Sequence, residues 1–167
     1  YLVGSPTNKS MKIVIALLWG FFGILMTLWG TPVFGGIANS RTIPILLAGL
    51  LGGPFIGAVA GFIAGFHRMF LTVGGDLTAI SCGISTLVAG IIGGLLKDWI
   101  RAKENKAFYG FTIGVIVEVI QMIIILLVAR PFDEALLIVK TIFLPMTFLN
   151  AIGIAVFLLF IDQVIKE

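Results

Sequence analysis

At 167 residues, with 59% hydrophobic and 11% charged residues and a mean hydropathy of +1.17, the chain falls outside the class of ordinary soluble domains, where charged residues approach about a quarter. The formal net charge of +3 comes from short segments between apolar runs, so it bears on membrane orientation and not on nucleic acid. A single cysteine, Cys82, excludes an internal disulfide and a cysteine metal cluster.

Residues 1–12 are polar, with Lys9 and Lys12 just ahead of the apolar run 13–30, which reads as a spanning helix with Trp29 as an interface anchor. Residues 31–41 read as a loop containing Pro32, Gly35, Gly36 and Asn39. The apolar zone 43–71 is long enough for one span, but Gly52-Gly53-Pro54 interrupts it, and proline removes a donor and disfavours helix at the residue before it. Divided there, 43–52 and 54–71 form a hairpin of short helices. Residues 77–96 form the next helix, with Asp76 as its N-cap behind Gly74-Gly75. Lys97, Arg101, Lys103 and Lys106 follow in a loop that the positive-inside rule puts in the cytoplasm. Helices over 107–128 and 135–161 complete the chain, joined by an outer loop with Arg130, Asp133 and Glu134 that either caps a pocket or is a solvated turn.

Charge parity separates one crossing from two. If 43–71 crosses twice, Lys9, Lys12, Lys97, Arg101, Lys103, Lys106 and Lys166 share the inner side, against Arg41, Arg68, Arg130 and Lys140 outside. A single crossing moves Lys9 and Lys12 outside and splits Arg41 from Arg68, which nearly erases the asymmetry. The expected fold is therefore an all-α integral membrane protein, a polytopic bundle of six membrane-embedded helices (five if 43–71 is a single span) with both ends cytoplasmic. Ten residues reach only about 15 Å against a hydrocarbon core of about 30 Å, so the first half of the hairpin is a partial span shielded by neighbours.

Around that hairpin runs a ladder of glycines, Gly49, Gly53, Gly57, Gly61 and Gly65, ending at His67-Arg68. Glycine every fourth residue clears one helix side for close backbone approach, which assigns these positions to packing. The polar residues at its ends, Asn39, Arg41, His67 and Arg68, carry the functional question. His67 has no second His or Cys at ligand spacing and reads as a packing or hydrogen-bonding residue. Thr78, Cys82, Ser85 and Thr86 make a polar stripe on the helix after Asp76, with Ser81 alongside. Singly, each hydroxyl is expected to bond its own backbone or a neighbouring helix. Together with Arg41, Arg68 and a helix N-terminus they supply the donors and positive charge that an anion needs, and a carboxylate fits. Deeper in the bundle Glu118, Gln121 and Asn150 form either a protonated acid with its hydrogen-bond partners or an intramembrane polar relay; an ionisable group at that depth faces the interior. No nucleophile, base and acid set, phosphate loop or metal cluster is present in the sequence, so no catalytic residue is assigned in this chain.

Asn39-Ser40-Arg41, Leu47-Ala48-Gly49-Leu50-Leu51-Gly52-Gly53-Pro54, His67-Arg68, Gly74-Gly75, Leu77-Thr78-Ala79 and Cys82-Gly83-Ile84-Ser85-Thr86 resemble the transmembrane sensor of the LytS/YhcK type. Gln121-Met122 and Ala129-Arg130-Pro131-Phe132-Asp133 extend the resemblance over nearly the whole chain. It implies a single sensor domain, 1–167, of a bacterial plasma-membrane histidine kinase whose cytoplasmic part uses ATP and Mg and passes phosphate to a response regulator. The chain itself is then expected to carry no cofactor. Such systems are associated with autolysis and cell-wall control, membrane-potential response and pyruvate sensing, and kinases of this kind are generally homodimers. In pyruvate-sensing relatives the pocket is placed at residues matching Arg41, Arg68, Cys82 and Ser85, to which the residue reading adds Asn39 and Thr78. The segment 69–73 is longer than the usual spacer between His-Arg and Gly-Gly, a departure that reshapes the pocket mouth. Some family members carry a diguanylate cyclase output instead. Six helices in this length with glycine-rich second and third segments are also similar to S components of energy-coupling-factor transporters, which leaves a substrate-binding importer subunit as the alternative. The start at Tyr1 and the stop at Lys166-Glu167 after an apolar run lead to the expectation of a piece of a longer protein.

Overall fold

The computed structural model describes residues 8–70 and 76–166. Gly74, Gly75 and most of the long spacer after His67-Arg68 lie outside the described residues. Helix α1, Lys9–Leu28, begins where the Asn8 side chain accepts the Ser10 N–H. Its buried residues Ala16, Gly20, Gly23 and Thr27 recur at helical spacing and form one narrow face of small side chains. Residues 31–41, expected as a loop, contain a two-stranded hairpin, β1 Thr31–Val33 and β2 Gly36–Ala38. Thr31 pairs with Ala38 and Val33 with Gly36. Positive φ at both Phe34 (45°) and Gly35 (82°) gives the turn the twist that a two-residue hairpin loop requires.

The apolar zone that follows is two helices, α2 Thr42–Gly52 and α3 Pro54–Phe70. Gly53 adopts φ 95° and ψ −179°, a conformation essentially reserved for glycine, and is the C-cap of α2. Its place in the ladder is thereby corrected, because Gly53 is the turn between the helices and not a packing rung. A Cβ on Gly57 would meet the Cα of Gly49 at 2.7 Å. Eight residues of continuous helix would hold those positions about 12 Å apart, so the chain folds back on itself. Helix α2 is buried on all sides at Thr42 and from Pro44 to Leu50. Only an element ringed by others can be apolar all round.

Helices α4 Ala79–Leu95, α6 Lys106–Val128 and α7 Phe132–Lys166 complete the bundle, with the short α5 Lys97–Arg101 inside the expected basic loop. Helix α4 starts two residues later than expected, so Asp76 is not its cap. Thr78 is the N-cap, and Asp76 instead accepts from the Thr78 N–H and hydroxyl, both at 2.8 Å. Asp133 and Glu134, placed by the sequence in a loop, occupy the first turn of α7, where acidic side chains suit the helix dipole.

Helices α3 and α4 pack through glycine. A Cβ at Gly61 would sit 2.9 Å from the Thr86 carbonyl oxygen and one at Gly65 2.6 Å from that of Gly83. At the hairpin's inner rung a Cβ at Gly49 would meet Gly90 O and Gly94 N at 2.5 Å. These are backbone contacts, so the glycines permit helices to touch main chain to main chain. The rungs 57 with 90 and 65 with 83 run oppositely, whereas Arg41 lies beside Cys82 and Gly53 beside Lys97. Helix α3 is thus antiparallel to α4 and α2 parallel to it.

The charges consequently sort to two ends. Arg41, Arg68 and Asp76 share one end, with the C-terminus of α1 and the β-hairpin over them, since Leu77 N–H donates to Gly35 O at 3.0 Å. Lys12 and Lys97 share the other, and there Lys106 Nζ binds Asp162 Oδ1 at 2.5 Å. Lys9–Leu28, Lys106–Val128 and Phe132–Val164 are long and apolar enough to cross a membrane, and the other three apolar helices are shorter. Leu17, Leu18 and Phe21 of α1 and Phe62 and Phe70 of α3 are about half exposed or more. Exposed apolar side chains on this scale mark a lipid-facing surface.

Candidate functional site

Two guanidinium groups sit inside the protein at its arginine end. Arg41 is 1% exposed and Arg68 0%. Arg41 is placed by the chain turning out of the β-hairpin, where Asn39 Oδ1 accepts the Arg41 N–H at 3.1 Å and Asn39 Nδ2 donates to Ile37 O at 3.3 Å. Asn39, a candidate ligand residue by sequence, therefore spends its side chain on shaping this turn. Arg41 Nε donates to Thr86 Oγ1 at 2.7 Å, Nη1 to Thr27 Oγ1 at 3.0 Å and Nη2 to Cys82 O at 3.2 Å. All three acceptors are neutral, and the Cys82 thiol lies within hydrogen-bond reach of the same guanidinium, so no carboxylate bonds this charge directly.

Arg68 is treated differently. Its Nη2 pairs with Asp76 Oδ2 and donates to Thr78 Oγ1 at 3.2 Å. Asp76 is itself nearly buried, with a side chain 6% exposed. Arg68 therefore already holds an internal carboxylate, and Thr78 connects that pair to the first turn of α4. The two arginines lie close enough for each charge to act on the other. The sequence-predicted stripe converges here: Ser81 donates to Thr78 O at 3.0 Å, and Ser85 and Thr86 donate to Cys82 O at 2.9 and 2.6 Å. Cys82 contributes its carbonyl, with a buried free thiol. Half-buried His67 lies within reach of both arginine charges. Arg130 is exposed and donates to Leu126 O and Ala129 O of its own helix end, and Asp133 and Glu134 are exposed beside it. Those three residues form a surface turn.

Thr27 was missed from the sequence. Its hydroxyl bonds both Gly23 O and Arg41, and a lone threonine in an apolar helix gives no signal beyond that possibility. Thr42, next to Arg41, was missed too. Its hydroxyl reaches Gln121 Oε1 at 3.5 Å and lies against Glu118, while Asn150 Nδ2 donates to Glu118 Oε1 at 2.7 Å. The structure thus joins Glu118, Gln121 and Asn150 into one buried set spanning α6 and α7, and Thr42 links it to the arginine end.

The family profile described as 5TMR of 5TMR-LYT matches residues 3–164. Over 152 residues the chain is 38% identical to the sensor histidine kinase BtsS of Escherichia coli K12, covering 88% of this chain and 27% of that protein. It is 40% identical over 135 residues to the sensor protein LytS of Bacillus subtilis, covering 80% and 22%. To the sensor histidine kinase YpdA of Escherichia coli K12 it is 33% identical over 166 residues, covering 98% and 28%. The chain spans about a quarter of the length of these relatives. No solved structure matches it.

Proposed function

Because the chain belongs to the LytS-type family of membrane sensor domains described as 5TMR of 5TMR-LYT, we propose that it is the signal-sensing domain of a bacterial plasma-membrane histidine kinase that binds a small carboxylate, such as pyruvate, from the outer side. The observation that carries the ligand class is Arg41, a fully buried cation whose named acceptors are all neutral, beside an Arg68 that already holds a carboxylate. An incoming carboxylate supplies the negative charge that Arg41 lacks and accepts from its guanidinium, and the Ser85 and Thr78 hydroxyls can turn to it from Cys82 O and Asp76. The β-hairpin covers this end, with the Leu77 N–H donating to Gly35 O, so the ligand enters beneath it. Binding moves signalling only through its different affinity for two states of the bundle. Thr42 offers the mechanical link, since it follows Arg41 directly and touches the residues that hold α6 to α7.

In this reading all six longer helices are membrane-embedded, both ends face the cytoplasm, and the fold is similar to S components of energy-coupling-factor transporters. The chain is one domain of a longer protein, works as a homodimer and addresses a cognate response regulator through a kinase part that binds ATP and Mg. Cell-wall regulation and pyruvate sensing are the candidate outputs. The relatives named above are called sensors, which supports this reading over an importer.

Calorimetric titration of the purified domain with pyruvate and other short acids tests the ligand class. Saturable binding of at least one carboxylate, with no binding of the matching neutral amide, is the expected result, and no binding by any acid rejects it. Orientation is tested by single cysteines in a Cys82→Ala background. The structure buries Gly36, so the exposed positions Thr31 and Glu104 are the better sites. An impermeant thiol reagent applied to intact cells is expected to label Thr31→Cys and spare Glu104→Cys. The opposite pattern reverses the topology.

A further inference from the structure

We propose that Glu118 is a proton-binding site, held as the neutral acid in a cyclic acid–amide pair with Asn150 that fastens α7 to α6. Both residues are 0% exposed. One bond of the pair is in place, Asn150 Nδ2 to Glu118 Oε1 at 2.7 Å. The remaining oxygen of each side chain, Glu118 Oε2 and Asn150 Oδ1, is buried without a partner. A carboxylate accepts only, and so does an amide oxygen, so a charged Glu118 gives neither atom a donor. One proton on Oε2 serves both, because Oε2–H donates to Oδ1 and closes the ring. A single added hydrogen thus satisfies two buried polar atoms at once, while the Thr42 hydroxyl also lies against the carboxyl group.

The rival reading is an ionised Glu118 neutralised by Arg41. Among the charged groups on the elements around α6, Arg41 at the N-cap of α2 acts electrostatically on Glu118. The other titratable groups on those elements are Cys82 on α4, Lys97, Asp98 and Arg101 on α5, and Asp133, Glu134, Lys140 and Asp162 on α7. Arg41, however, directs its bonds to Thr86, Thr27 and Cys82, and Glu118 takes part in none of the ion pairs among the described residues. Thr42 and Gln121 beside it are neutral. The surroundings therefore suit an acid and not its anion.

The consequence concerns α7. Below Glu118, α6 meets α7 through Gly114 against Ala151 and Gly110 against Leu158, contacts between small or apolar groups that tolerate sliding. A two-bond ring between positions 118 and 150 fixes the register of one helix on the other, the role best attested for isolated buried polar residues. This assignment stands whether or not a carboxylate binds at the arginine end.

Infrared spectroscopy and thermal melting of the whole chain in detergent test it together. The wild type is expected to show the carbonyl stretch of a protonated carboxylic acid that Glu118→Gln removes. Glutamine also reproduces both bonds without a proton, so Glu118→Gln is expected to melt within about 2 °C of wild type, whereas Glu118→Ala and Asn150→Ala each fall by on the order of 5 °C. If no acid band is lost in Glu118→Gln, the proposal is overturned. It is equally overturned if Glu118→Gln melts as low as Glu118→Ala, the result an Arg41-paired carboxylate requires. Should the alanine variants fail to fold, the infrared comparison of wild type with Glu118→Gln decides alone.

Discussion

Gly57→Leu is expected to leave no folded bundle that survives detergent extraction. The glycine stands where three helices meet, and a Cβ there collides with the Gly90 carbonyl group and comes within 2.7 Å of Gly49 Cα. Neither obstacle is a side chain that can rotate away. Overpacking a core that can adjust costs about 1–3 kcal/mol, and here relief requires moving α4 off the hairpin, so the loss should exceed that range. Gly36→Ala is the matched control. Its Cβ would meet only the tips of Thr78 and Ile138 at 3.3 and 3.4 Å, and its melting point should stay near that of the wild type. Size-exclusion profiles and melting of the two variants in one detergent provide the measurement. A Gly57→Leu protein that elutes and melts like wild type removes glycine packing as the organising feature of the hairpin.

What the sequence disclosed and what it hid follow from the range of the forces involved. The break at Gly53 was legible because proline and a positive φ act on the chain locally, and the end-to-end sorting of lysines and arginines was legible because each loop carries its charge openly. The stripe from Thr78 to Thr86 was legible through its period, and the structure buries it against Arg41 and Arg68 as one face. The β-hairpin was not legible. Its strands are three residues each, too short for an alternation signal, and the turn uses Phe34 at positive φ, a residue that does not advertise that conformation. The short helix α5 was lost in the same way inside a basic segment. Partnerships were the hardest to read. That Arg41 rests on three neutral oxygens while Arg68 rests on Asp76 depends on contacts across up to 45 positions of chain, which no local pattern encodes.

That difference between the arginines sets the last expectation. Arg41→Ala should weaken binding of a short carboxylate by about ten- to a hundredfold, since each charge-assisted hydrogen bond is worth roughly 1.5–3 kcal/mol. Arg41→Lys should recover part of this only, because an ammonium lacks the fork that meets a carboxylate with two parallel bonds. Arg68→Ala is expected to weaken binding similarly and also to lower stability, since it strands the buried Asp76 carboxylate. Asp76→Asn separates the two roles of that pair. Asparagine still accepts from the Thr78 N–H, so the start of α4 is kept, but Arg68 loses the Asp76 anion and its charge then favours the ligand's carboxylate. Binding should tighten. Ser85→Ala should cost less than any arginine change, as it removes a neutral donor whose present partner is Cys82 O. Titration calorimetry across the series, with melting curves to confirm folding, reads all of these. Equal affinity for wild type and the Arg41→Ala, Arg68→Ala double variant would remove the site, and weaker binding by Asp76→Asn would show that Asp76 helps to hold the ligand instead of standing in for it.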